Sequence, residues 1–206
     1  MCRDDSGRRL AMKAYYEARA REYDDWYLGV NLYADRFRPG WEDELDALRR
    51  TLEALAPART LDVACGTGFL TLHLPGDVVG LDQSETMIEV ARERVPDAEF
   101  VIADALELPF PDLSFDRVFT GHFYGHLDGA HREAFLAEAR RVAPQLVVVD
   151  SALNDETPAE RMDQRVLADG SKWEIYKRWF SGPGLAAELG GGAVLHEGRY
   201  FVAVEA

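Results

Sequence analysis

Cysteine is scarce in this chain: Cys2 and Cys65 are the only two in 206 residues. That excludes a disulfide framework and any four-cysteine metal site. Long apolar runs are missing as well. The run LVVV at 146–149 is far too short to span a bilayer, and the N-terminal MCRDDSGRR lacks the apolar stretch of a secretory signal. A cytoplasmic location is the resulting expectation. Positive charge is short, with 23 Lys and Arg against 37 Asp and Glu and a formal net charge of −14. Such a chain lacks the broad basic face that a nucleic-acid backbone or an anionic membrane surface demands. The expected partner is a small molecule, with no nucleic acid and no membrane. The five histidines are scattered, with no HExxH pair, so no metal is expected.

What is present is the composition of a globular protein, 47% hydrophobic and 29% charged. Residues 1–206 read as one domain. Cap helices occupy 1–56, a ligand-binding core 57–150, and a substrate-cap segment with a terminal hairpin 151–206. Met12, Tyr16, Tyr23 and Tyr27 share one face of a helix expected over 9–28. Trp41, Leu45, Leu48, Leu52 and Leu55 form the stripe of another over 41–55, with Pro39-Gly40 between them. Beyond residue 58 the pattern changes. Strand-like runs at 59–64, 77–81, 98–102, 114–120 and 145–150 alternate with helical ones at 68–74, 84–95 and 129–142. That alternation predicts βαβ units and a parallel sheet with helices on both faces. A polar stretch over 151–171 leads to KWEIYKRWF at 172–180 and a short helix at 183–189. The tail reads as two short strands turning at Glu197-Gly198. The expected fold is α/β: a Rossmann-like, seven-stranded, mostly parallel sheet with an N-terminal helical cap and a C-terminal antiparallel hairpin.

Ligands of open α/β sheets bind at the carboxyl ends of the strands. Residues 61–68, LDVACGTG, read as a buried strand carrying Asp62 and running into a glycine turn that opens a helix. Glycines let a ligand approach the backbone, and a helix N-terminus offers free N–H groups. Asp82 ends the second strand, Asp104 the third, and Phe119-Thr120-Gly121-His122 the fourth. Each has a plainer reading beside the functional one. Asp82 or Ser84 suits the N-cap of the helix at 84–95, and Asp104 alone suits a turn. His122 and His126 are either acid–base groups or buried histidines bonded to backbone. Cys65 reads as a small packed residue, Asp116 as structural, and His73, His131 and His196 as structural or exposed.

Taken together, these stretches resemble one family. DVACGTG, LDQSETMIEVAR, ADALELPFPDLSFDRV and a strand followed by GHL, in this order and spacing, resemble the class I S-adenosylmethionine-dependent methyltransferases. The likeness is to the small-molecule branch that includes the ubiquinone and menaquinone C-methyltransferases, and it runs through roughly 14–150. YYEARAREYDDWY at 15–27 resembles the aromatic lid helix of that branch. The resemblance implies S-adenosylmethionine as cofactor and S-adenosylhomocysteine as product. It implies Asp62 near the methionyl amino group and the backbone of Ala64, Gly66 and Gly68 along the methionine and ribose. Asp82 would take both ribose hydroxyls and Asp104 the adenine amine, with the Ala105 N–H on a ring nitrogen. Met87 would pack near the adenine, and Tyr16 and Tyr23 would close over the methionine end. Two positions depart from the pattern. Ala64 stands where glycine is usual, and RVAPQLVVVD lacks the Gly-Gly that usually follows its proline.

The activity so implied is methyl transfer to a small-molecule acceptor by in-line displacement. His122, Tyr124 and His126 are the catalytic candidates by position. The segment at 172–180 is either a substrate cap, with Lys177 or Arg178 on an anionic group, or aromatics packed on the sheet with snorkelling basic side chains. Two other classes stay open. A nicotinamide-dependent oxidoreductase would want a third glycine where CGTGFLT has Thr71. A non-catalytic cofactor-binding protein would have less need of intact Asp62, Gly66, Gly68, Asp82 and Asp104. A homodimer through the cap helices would suit such a chain.

Overall fold

The computed structural model describes residues 5–206, with side chains from residue 11 onward. The framework is set by strands apolar enough to be buried on both faces. Thr60–Val63 (β1) is buried throughout, and Val78–Asp82 (β2) and Arg117–Gly121 (β4) are buried at all but one end position. With Glu99–Ile102 (β3) and Gln145–Ser151 (β5), they pair in parallel in the order β3-β2-β1-β4-β5. Glu160–Val166 (β6) and Lys172–Arg178 (β7) form a separate antiparallel ribbon. Ala193–Glu197 (β8) and Phe201–Glu205 (β9) complete the main sheet, β9 antiparallel to β5 and β8 outermost. The sheet is seven-stranded and mostly parallel with a terminal antiparallel hairpin, as the sequence pattern predicts, and its order is β3-β2-β1-β4-β5-β9-β8.

Strand alternation divides the apolar residues between two layers. Val118, Leu146 and Val148 join Phe135, Ala139 and Val142 of Gly129–Val142 (a helix named α5 below) on one face. Phe119, Val147 and Val149 join Trp41, Leu45, Leu48 and Leu52 of Trp41–Glu53 on the other. In chain order the helices are Asp5–Arg19 (α1), Asp25–Leu28 (α2), Trp41–Glu53 (α3), Glu85–Arg94 (α4), Gly129–Val142 (α5) and Gly182–Glu188 (α6). Among the described residues, no helix is long and apolar enough to cross a membrane.

Three local expectations need correction. The helix expected over 68–74 is only a 3-10 turn, Thr71–His73. Leu74 precedes Pro75 and is extended (ψ 124°), as a following proline demands, which leaves no room for a longer helix. The glycine turn therefore does not open an α-helix, and the site gains no helix N-terminus there. The helix expected over 9–28 is divided into α1, a 3-10 turn at Ala20–Glu22, and α2. Just before α2, the Asp24 carboxylate is taken up by the Thr67 hydroxyl (2.6 Å) and by Arg94. The polar stretch over 151–171 contains β6, and the aromatic segment after it is β7. On their inner face Trp173 and Ile175 pack under α1, where Tyr15, Leu167 and Ile175 form a small apolar cluster, and Lys177 is buried beside Asp150.

Candidate active site

The turn after β1 is fixed by the strand beside it. The Cys65 N–H donates to the Leu81 carbonyl (3.0 Å) and the Gly66 N–H to Asp82 Oδ2 (3.0 Å). Asp82 Oδ1 accepts the Ser84 N–H (2.9 Å), and Ser84, not Asp82, caps α4 by accepting the Met87 N–H (3.1 Å). A carboxylate has about four acceptor directions, so Asp82 can brace the turn and still face a ligand. Burial pushes its carboxyl up to about 6, against the pull of the Ser84, Gly66 and Gln83 N–H groups. Ala64 (φ 58°) and His122 (φ 57°) end the adjacent strands β1 and β4 in the left-handed region that favours glycine. That conformation explains why glycine suits position 64. Strain of this kind collects at functional sites.

These groups open onto one cavity of about 520 Å³ at the carboxyl ends of the strands. Ala64, Gly66 and Asp82 form part of its wall, and Met87, Asp104 and Ala105 continue it along β2 and β3. Asp104 Oδ1 accepts the Leu106 N–H (2.9 Å). Tyr16 of α1 and Tyr23 close the other side, and burial pushes the Tyr23 hydroxyl up to about 12. Glu17 locks α1 over this wall, accepting from the Glu85 N–H (2.9 Å) and the Thr86 hydroxyl (2.6 Å). Asp62 and Gly68 lie outside the cavity lining. Asp62 is buried; its Oδ2 accepts from the Thr71 hydroxyl (2.6 Å), and its Oδ1 has no hydrogen-bond partner. Burial pushes its carboxyl up to about 7, opposed by the Thr71 bond and reinforced by Asp82. A buried acid in that state lacks a cation.

At the far end stand two of the three catalytic candidates. His122 and His126 line the cavity; Tyr124 does not. The Tyr124 ring is fully buried beside Phe135 and Phe180, and its hydroxyl donates to Glu188 Oε1 (3.2 Å), so the side chain faces the core and not the cavity. His122 sits among Trp26, Tyr27 and Phe201, with its buried Nε2 unpartnered. Burial pushes it down to about 3. His126 Nδ1 lies 2.7 Å from the Tyr176 carbonyl oxygen. A carbonyl only accepts, so Nδ1 carries the proton and Nε2 the lone pair. Burial, helped by the Lys177 ammonium, holds His126 well below the ordinary histidine range.

The residues that hold this end escaped the sequence reading. Asp150, at the carboxyl end of β5, is fully buried. Its Oδ2 accepts the Gly125 N–H (2.7 Å), and its Oδ1 pairs with Lys177 Nζ of the ribbon. Burial works against that carboxylate, but Lys177 outweighs it and keeps the Asp150 carboxyl below its usual range. A Cβ at Gly125 would stand 2.6 Å from the Arg178 carbonyl, so only glycine lets the ribbon dock here. The anion-binding reading of Lys177 and Arg178 finds no support: Lys177 is committed to Asp150, and Arg178 to Glu188 (2.9 Å). A strand-end acid at Asp150 was the one available signal, since ligand sites gather at that rim. Elsewhere the plainer readings hold. Burial pushes the Cys65 thiol well up, His73 contacts Glu53 (2.8 Å), and Asp116 accepts the Arg59 N–H (2.9 Å). Among the described residues, no group of three or more His, Cys, Asp or Glu side chains could hold a metal ion.

Residues 61–145 match the model of a family described as "Methyltransferase domain". The demethylmenaquinone methyltransferase of Thermotoga maritima is 38% identical over 91 residues, 42% of this chain and 39% of that protein. The chain thus matches well under half the length of this curated relative. Two solved structures match almost throughout. One, described as a DhpI–SAM–HEP complex, has a TM-score of 0.73 and 27% identity, covering 98% of this chain and 99% of that one. The other, a DhpI–SAH complex, has a TM-score of 0.70 and 28% identity, covering 95% and 94%. Matched domain, sheet order and cofactor-bound neighbours agree with the cavity at the β1–β2 rim: residues 61–145 carry the match to a methyltransferase domain, in a chain similar to the class I S-adenosylmethionine-dependent methyltransferases.

Proposed function

We propose that this chain transfers a methyl group from S-adenosylmethionine to a small-molecule acceptor, with His126 as the base where the acceptor atom must lose a proton. One observation carries the reading: the Gly66, Asp82 and Asp104 rim and the His126 imidazole face a single cavity. When bound, the cofactor supplies an electrophilic methyl group on a sulfonium sulfur. The residues present fit it. Asp62, behind the cavity wall with an unpartnered buried oxygen, would hold the methionyl ammonium directly or through water, and Asp82, on the wall, would take the ribose hydroxyls. Asp104 and Ala105 would meet the adenine beside Met87.

His126 has its tautomer fixed by the Tyr176 carbonyl, so Nε2 is the atom that accepts the proton. Its depressed pKa keeps the imidazole neutral, and therefore able to accept, at neutral pH. The ribbon supplies Met162, Glu174, Ile175 and Tyr176 to the cavity wall and helps to exclude water. These walls place acceptor nucleophile and methyl carbon together, which is the protein's main contribution to the rate. The test is acceptor-dependent release of S-adenosylhomocysteine from S-adenosylmethionine across a panel of small oxygen, nitrogen, sulfur and carbon nucleophiles. The reading predicts release with one acceptor class, strongly reduced in His126→Ala. A protein that binds the cofactor but turns over no acceptor would support the non-catalytic alternative.

A further inference from the structure

Asp150 and Lys177 form a buried ion pair, the first 0% and the second 3% exposed. Such a pair is a poor way to hold two elements together. Taking both charges out of water offsets most of their attraction, and apolar side chains of similar volume are often as stable. Apolar neighbours surround both positions: Val147, Val148 and Val149 precede Asp150 on β5, and Trp173 and Ile175 precede Lys177 on the inner face of β7. Packing alone therefore does not account for the two charges.

What the pair touches gives it a task. Asp150 Oδ2 accepts the N–H of Gly125, the residue before His126 (2.7 Å). Lys177 follows Tyr176, whose carbonyl oxygen lies 2.7 Å from His126 Nδ1. These contacts close a ring. It runs from Gly125 to Asp150, on to Lys177, along the backbone to Tyr176, across to His126 and back to Gly125. Asp150 is itself braced within β5, where its Oδ1 accepts the Ser151 N–H (2.7 Å). The ring is tight, because a Cβ on Gly125 would stand 3.0 Å from both Asp150 carboxylate oxygens. It ties together two elements distant in sequence: the turn that carries the imidazole and the strand whose carbonyl takes its Nδ1 proton. The charges also act through space. Lys177 and Arg165 of β6 oppose a proton on His126, Asp150 favours one, and the Tyr16 ring of α1 meets the imidazole edge to face at 6.2 Å.

We propose that Asp150 and Lys177 are positioning residues for methyl transfer: the pair sets the Tyr176 carbonyl against His126 Nδ1 and so presents the Nε2 lone pair to an acceptor in the cavity. The inference rests on the reading of His126 as the base and adds the strand-end acid and ribbon lysine that orient it. Neither side chain lines the cavity, so both act through His126 and not on a ligand.

Proton–nitrogen correlation spectra of the chain with isotope-labelled histidine read the tautomer directly, with His126→Ala identifying the His126 signals. The wild-type protein is expected to hold His126 in the Nδ1–H form alone. Lys177→Met is expected to lose that preference, with the Nε2–H form appearing, while S-adenosylhomocysteine affinity in a calorimetric titration stays within about twofold. With an acceptor from the panel above, kcat in the same variant is expected to fall about tenfold or more, the scale for a misplaced reacting group. A folded Lys177→Met protein that keeps His126 wholly in the Nδ1–H form, or that keeps kcat within about twofold, overturns the proposal. Cofactor affinity that falls by the same factor as kcat marks general disruption and overturns it too. If Lys177→Met does not fold, the double variant Lys177→Met, Asp150→Asn leaves no lone charge and is expected to show the same loss of tautomer preference; an unchanged tautomer there is equally decisive against the pair. Wild-type His126 in the Nε2–H form would overturn the reading of His126 as the base itself, a result distinct from loss of the positioning role.

Discussion

Replacing Asp62 with asparagine should stabilise the cofactor-free protein at pH 8 while weakening its hold on the cofactor. Asp62 is 1% exposed, and burial lifts its carboxyl from an ordinary 3.8 to about 7. An acid raised in the folded state stabilises the fold only while protonated. That contribution is complete below the unfolded-state pKa near 4 and is lost as pH rises through about 7. At about 1.4 kcal/mol per pH unit between those limits, the ionised carboxylate costs the fold roughly 4 kcal/mol at pH 8 and about 1.5 kcal/mol at pH 5. Asparagine keeps an oxygen for the Thr71 hydroxyl and carries no charge, so its own cost, an unpaired amide N–H, is the same at both pH values. The variant's standing relative to wild type should therefore improve by about 2.5 kcal/mol from pH 5 to pH 8, or roughly 5–10 °C for a chain of this size. Thermal denaturation of both proteins without ligand, at the two pH values, measures it. An equal difference in midpoint at pH 5 and pH 8 would refute the reasoning, because Asp62 would then not be a costly buried anion. Added S-adenosylhomocysteine should reverse the order, since only the wild-type protein gains much stability by binding.

Asp82→Ala should weaken S-adenosylhomocysteine binding by about 1–3 kcal/mol in a titration, the loss expected for a desolvated hydrogen-bonded partner; unchanged affinity in a folded variant would remove the ribose assignment. His126→Ala should lower kcat by about 10²- to 10⁴-fold, as for a lost general base, with little change in cofactor affinity. Because burial holds His126 far below its ordinary range, wild-type kcat at saturating substrate should show no histidine-like fall from pH 8 to pH 6, and a fall centred near 6.5 would contradict the assignment. Lys177→Met leaves Asp150 buried and unpaired and should cost about 3–5 kcal/mol in denaturant unfolding. Adding Asp150→Asn should recover part of that loss, and strictly additive effects would argue against the pair.

The main sheet is readable in the sequence because its strands are buried on both faces and so appear as unbroken apolar runs. β5, with residues 146–150 all buried, is the clearest case. The ribbon is not readable, for two physical reasons. β6 is exposed at most positions and carries no period-two apolar signal. β7 does alternate, but its third inward residue is Lys177, buried only because Asp150 waits for it. A local pattern cannot report a pairing between residues 27 apart. The same limit hid the division of the N-terminal helix, where Asp24 is drawn to Arg94 and Thr67. At the site, the residues tied to strand ends were legible: Ala64, Gly66, Asp82, Asp104 and His122 stand at the rim that topology dictates. Tyr124 faces away from the cavity because it opens a 3-10 turn, Tyr124–His126, whose first side chain goes to the core and whose last goes to the cavity.

The most direct test of the account is a calorimetric titration of the folded chain with S-adenosylhomocysteine, with NAD and NADP as parallel ligands. The account predicts saturable binding of S-adenosylhomocysteine at about micromolar affinity and no binding of either nicotinamide dinucleotide. A folded protein that ignores S-adenosylhomocysteine, or binds a dinucleotide in its place, would contradict it.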